Sequence, residues 1–149
     1  MLADVVWPAL YLAARLYSLV PILAGLLFEL LILRYLFPMP WKKALLVDVV
    51  MNAASALVGY FVFPWVGLAW ALTGGTVIEK LLGWGTFNPL GWAAACVIAV
   101  FLSTGIETLV VRWVFRFAIT KRRFWAIALA NLGSTAIAFV SMVRHPPNI

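Results

Sequence analysis

Residues 90–115 read LGWAAACVIAVFLSTGIETLVVRWVF, and only Glu107 and Arg112 among them carry charge. A helix crossing the hydrocarbon core of a bilayer needs about 20 predominantly apolar residues. This run exceeds that length. It does not alternate polar with apolar side chains, as a strand of a membrane barrel must. The segment therefore reads as a transmembrane helix.

The same reading extends along the chain. It predicts spans over about 17–37, 44–66, 90–115 and 124–143. Prolines and basic residues separate the members of each pair: Pro38-Met39-Pro40-Trp41-Lys42-Lys43 in the first, and Phe117 to Arg123 in the second. Composition agrees. The 149 residues are 66% hydrophobic and 11% charged, whereas soluble domains average about 45–50% and about 25%. The expected fold is a single all-α membrane domain of four transmembrane helices. Short interfacial segments are expected at residues 4–16 and 67–88. In the latter, Val77, Ile78, Leu81 and Leu82 beside Glu79 and Lys80 make a short amphipathic element.

Glu29-Leu-Leu-Ile-Leu-Arg34 matches Glu107-Thr-Leu-Val-Val-Arg112 at an offset of 78. Met51-Asn52-Ala-Ala-Ser55 matches Ala130-Asn131-Leu-Gly-Ser134 at an offset of 79, and Lys42-Lys43 matches Lys121-Arg122. Each half thus reads Glu, Arg, a basic loop, Asn and Ser in that order. This predicts two helical hairpins, over about 17–66 and 90–143, joined by a connection over about 67–89. The repeats run parallel, so a pseudo-two-fold axis along the membrane normal should relate them.

Charge sets the expected orientation. Eight of the eleven basic residues flank the hairpin loops: Arg34, Lys42, Lys43, Arg112, Arg116, Lys121, Arg122 and Arg123. Basic loops stay on the cytoplasmic side, so both termini and the 67–88 segment should lie outside. A bacterial inner membrane suits this pattern. Arg34, Arg112, Lys42, Lys43, Lys121, Arg122 and Arg123 are expected to anchor in headgroups, including anionic ones. An Arg34–Asp48 contact across the hairpin is the alternative for Arg34. The net charge of +6 is explained by these anchors, and no nucleic-acid partner is expected. Trp7, Trp41, Trp65, Trp84, Trp92, Trp113 and Trp125 lie near span ends, where indoles favour the interface. Pro21 should kink the first helix.

Glu29 and Asn52 fall at one depth, roughly 12 Å inside the loop end, as do Glu107 and Asn131. Glu29 shares a helical stripe with Ser18, Ile22 and Gly25. Asn52 shares one with Asp48, Ser55 and Gly59. The second repeat has Cys96, Val100, Ser103 and Glu107, then Ile127, Asn131, Ser134 and Ala138. Small and polar faces of this kind pack inward, so each Glu should reach the Asn of its own hairpin. Carboxyls at membrane depth are costly and mark sites for protons, ions or substrates. The candidate binding residues are therefore Glu29, Glu107, Asn52, Asn131, Ser55, Ser134 and Asp48. Asp48 has no counterpart, since Ile127 stands at its matching position. The asparagines and serines serve equally well as helix-packing glue.

Three function classes follow. The first is transport or conduction of a small solute or cation, with proton coupling, through the Glu/Asn layer. Four helices enclose little volume, so either a homodimer or a small solute is expected. The second is a scaffolding subunit of a larger membrane complex. The third, a lipid-modifying membrane enzyme, is the weakest. A lone Cys96 and a lone His145 exclude a Cys-x-x-Cys motif and a His-rich metal set. No Ser–His pair, phosphate loop or nucleotide fingerprint is present, so no cofactor or metal is expected. The N-terminus lacks a basic n-region, and no removable signal peptide is expected.

Overall fold

The computed structural model describes residues 19–83 and 89–144. All the regular structure among them is helical: α1 (Leu19–Leu36), α2 (Trp41–Trp70), α3 (Thr76–Leu82), α4 (Pro89–Trp113) and α5 (Lys121–Arg144). Four helices are long and apolar enough to cross a membrane. They begin and end within a few residues of the expected spans, with one exception. The second span does not stop near Val66. A π-helical turn, Ala71–Gly75, joins α2 to α3 without a break, giving a helix of 42 residues, Trp41–Leu82.

At 1.5 Å per residue that helix is roughly 63 Å long, about twice the hydrocarbon thickness. The amphipathic element expected at 76–82 is thus helical, but it continues the span instead of forming a separate piece. The continuation has local causes. The Thr73 hydroxyl donates to the Ala69 carbonyl at 2.7 Å, and that of Thr76 to Ala71 at 3.0 Å. The Ala71 carbonyl also accepts the Thr76 backbone N–H, the wider bond of a π turn. Gly83 then ends the helix at φ 63, a left-handed conformation that costs a residue without a side chain little. Upstream, Pro64 lies inside α2 and leaves the Tyr60 carbonyl without its helical donor. Pro21 falls in the first turn of α1 as described. Residues 4–16, Trp7, Trp84 and His145 lie outside the described residues.

Around the bundle each helix touches the next, in the order α1, α2, α4, α5, and α5 closes back on α1. The α1–α5 approach is close at Gly25, where an added Cβ would stand 3.4 Å from Ser134 Cβ. A larger side chain there must push the helices apart. Gly25→Leu should lower stability by about 1–3 kcal/mol, the usual cost of overpacking, read as a drop in thermal unfolding temperature in detergent.

Both hairpin loops lie at the same end. Leu33, Phe37, Met39, Ala44, Val47, Met51, Val111 and Ile127 form one buried cluster there, with Phe115, Phe117 and Ile119 packed on it. Phe37 and Phe117, one from each loop, meet edge to face with centroids 5.9 Å apart. Two cations cross between hairpins over this pair. Lys43 Nζ lies 4.9 Å from the Phe117 ring centre, and the Arg123 guanidinium lies 4.5 Å from that of Phe37. Arg123 also donates from Nε to the Leu36 carbonyl at 3.1 Å and from a terminal nitrogen to Ala118 at 2.7 Å.

Lys43 and Arg123 thus make ring and carbonyl contacts between the loops, which the charge pattern alone does not foretell. Arg34 lies over the Trp41 ring at 5.4 Å. Its Nε is buried without a hydrogen-bond partner, as is Asp48 Oδ2, so the Arg34–Asp48 alternative does not satisfy either atom. Lys42, Arg112, Lys121 and Arg122 are exposed. Trp41, Trp65, Trp113 and Trp125 are also exposed, on the outside of the bundle.

Candidate functional site: a polar layer beneath an interior cavity

The expected interior stripes pack inward. Glu29 and Glu107 are each 1% exposed and Asp48 0%. Asn52 Nδ2 donates to Glu29 Oε2 at 2.5 Å. In the other hairpin, Asn131 Nδ2 donates to Glu107 Oε2 at 2.5 Å. Each asparagine also reaches back one turn, Asn52 to the Asp48 carbonyl at 3.1 Å and Asn131 to that of Ile127 at 3.3 Å. The serines bind their own helices. Ser55 donates to the Asn52 carbonyl and Ser134 to that of Asn131. Local geometry accounts for the similarity, since an Asn four residues after its carbonyl partner, facing a Glu across a tight hairpin, has little other choice.

The two acids are nevertheless placed differently. A partly open cavity of about 330 Å³ runs through the bundle, walled by all four long helices. Glu107 lines it, together with Asn52, Asn131, Ser55 and Ser134, whereas Glu29 and Asp48 do not. Pro21, Ile22, Gly25 and Leu26 of α1, Gly59 and Phe63 of α2, and Ala99 and Leu102 of α4 supply apolar walls. From Asn52 to Phe63 the cavity follows α2 for roughly 16 Å, toward the end opposite the loops. Its floor is the polar layer around Glu107, and the buried cluster of Leu33, Val47, Val111 and Ile127 lies beyond that layer on the loop side.

Glu29, Asp48 and Glu107 are close enough to act on one another electrostatically. The Ser55 hydroxyl stands beside the Glu107 carboxyl, across from α2 to α4. No basic side chain lines the cavity. Among the described residues, no group of three or more His, Cys, Asp or Glu is arranged to hold a metal ion.

No protein-family model, curated protein or solved structure matches the chain. The site must therefore be read from its own chemistry.

Sequence reasoning missed two contributors. Thr135 is buried and lines the cavity, one residue past the Asn–Ser motif. Thr104 is fully buried with its hydroxyl oxygen unpartnered. Both lie on the inward stripes of α4 and α5, where their spacing from Glu107 and Asn131 could have drawn attention to them. Cys96 packs with Phe63, Ala95, Ala99 and Ala138 at the far end, as a small apolar side chain would.

Asp48 carries a separate prediction. Its Oδ1 accepts only a long bond from Asn52, 3.3 Å, and its Oδ2 accepts none. A buried oxygen without a partner costs about 1–3 kcal/mol. Asp48→Val, close in shape and apolar like Ile127, should therefore raise resistance to unfolding by about that amount in SDS titration.

Proposed function

We propose that this protein moves a small solute across a membrane, with the Glu107 side of the Glu/Asn layer as its binding site. The observation carrying the reading is the cavity. It has apolar walls and, at its floor, a buried carboxyl held by an asparagine. Ligand sites commonly combine a mainly apolar lining with a few placed polar groups, and carboxyls at this depth are costly unless used. All four long helices of one chain wall the space, and its size suits a small solute.

The cavity runs from the polar layer toward one end, and the loop-end cluster closes the other. Such a one-sided vestibule fits alternating access, in which the packed end would open in turn. The matched Glu–Asn and Asn–Ser bonds support two hairpins derived from one repeat. Pseudo-two-fold related halves would supply the rocking elements. The basic loops favour a cytoplasmic loop end, and a bacterial inner membrane suits that orientation.

The test is solute-driven proton movement into proteoliposomes, comparing the unaltered chain with Glu107→Gln and Glu29→Gln. A transport site predicts loss in the Glu107 variant and a smaller change in the Glu29 variant. Equal fluxes in all three, with correctly folded proteins, would overturn the proposal.

A further inference from the structure

We infer that the solute is a small organic cation, an ammonium head carrying a short apolar body. This rests on the transport reading above and names its substrate class.

The polar end of the cavity offers acceptors. Both asparagines spend their amide N–H groups on a carboxyl and a backbone carbonyl, so what each can still offer a ligand is its amide oxygen, an acceptor. The Ser55 and Ser134 hydroxyls direct their hydrogens to backbone carbonyls, which leaves oxygen lone pairs for a ligand. Glu107 adds a carboxyl. These groups favour a ligand that donates hydrogen bonds, while the Ser103 and Thr135 hydroxyls in the same wall can donate or accept. An anion would meet no Lys, Arg or His in the cavity wall.

Charge points the same way. Glu29, Asp48 and Glu107 are buried within electrostatic range of one another. Asp48 Oδ2 is buried and unpartnered beside this layer, and a positive charge arriving at Glu107 can be balanced by release of the carboxyl proton. A bare metal ion is a poor fit, because among the described residues no group of three or more His, Cys, Asp or Glu is arranged to hold one. Apart from Ser103 and Thr135 the rest of the wall is apolar, from Leu26 to Phe63, and an ion without a body would leave it unfilled. A cavity of about 330 Å³ lies at the small end of the usual range for ligand sites, roughly 300–1,000 Å³. An ammonium with a short alkyl chain meets all of these features: three donors on the head, one charge against the acids, and methylenes along the wall.

The experiment is a calorimetric titration of the whole chain in phosphatidylcholine nanodiscs, with empty discs as reference. The probes are butylammonium, butanol and butyrate, which share a body and differ in the head. Butylammonium should bind at least about tenfold more tightly than the other two, a margin of one factor of ten in affinity. Glu107→Gln should erase that margin while leaving butanol binding in place. The comparison on the unaltered chain needs no variant, so a folding defect in Glu107→Gln would not blunt it. Equal binding of the three heads, or tighter binding of butyrate or butanol, would overturn the cation assignment and leave the cavity as a solute site. Absence of binding by all three, with proton movement indifferent to Glu107, would overturn both the assignment and the transport reading.

Discussion

Proteoliposomes carrying Glu107→Gln should show solute-driven proton movement reduced by roughly 10–150-fold. That range follows from removing one hydrogen bond to a charged group, about 1.5–3 kcal/mol, at about 1.4 kcal/mol per factor of ten. The variant is chosen because glutamine keeps the shape of glutamate. Its side-chain oxygen can still accept from Asn131 Nδ2, the bond now made by Glu107 Oε2, so the helix pairing should survive. What disappears is the ability to take up and release a proton or to balance a cation. Thermal unfolding of the variant should therefore stay close to that of the unaltered chain. A large drop in stability with an unchanged rate per folded molecule would instead assign the Glu–Asn bond to helix packing. Glu29→Gln is the internal comparison. Its carboxyl is equally buried but does not line the cavity, so the loss should be smaller.

The second large effect is expected at the opposite side of the layer. Phe37 is 1% exposed and stands against Phe117 and under Arg123. Phe37→Ala should cost about 3–5 kcal/mol, the usual range for truncating a packed aromatic. Part of that loss comes from orphaning the Arg123 guanidinium from the ring. SDS or thermal unfolding would measure it. The transport reading adds a functional outcome, namely that opening the loop-end seal should raise the passive leak of protons through liposomes. A stable variant with a tight membrane would show that Phe37 does not seal the loop end.

The sequence by itself determined the number of membrane helices, their approximate ends and the faces they bury. These depend on local quantities, the length of apolar runs and the 3.6-residue spacing of Gly25, Glu29, Asp48, Asn52, Glu107 and Asn131. A polar side chain in a span has few neighbours it can reach, so the Glu–Asn pairing within each hairpin was legible too. The helical turns of 67–82 were legible in part. Their amphipathic spacing was visible, but the join through the π turn Ala71–Gly75, with its threonine hydroxyl bonds, is not encoded in a hydropathy pattern.

Only the tertiary structure decided which acid meets the cavity. By repeat alignment Glu29 and Glu107 are equivalent, and only the packing of all four helices leaves Glu107 lining the space and Glu29 outside it. Asp48 opposite Ile127, and Pro21 opposite Ala99, already break the equivalence, but their consequence depends on contacts between distant parts of the chain. The crossed placement of Lys43 over Phe117 and Arg123 over Phe37 was illegible for the same reason. Contacts between the two loops depend on how the hairpins pack, which the charge pattern beside a span does not encode.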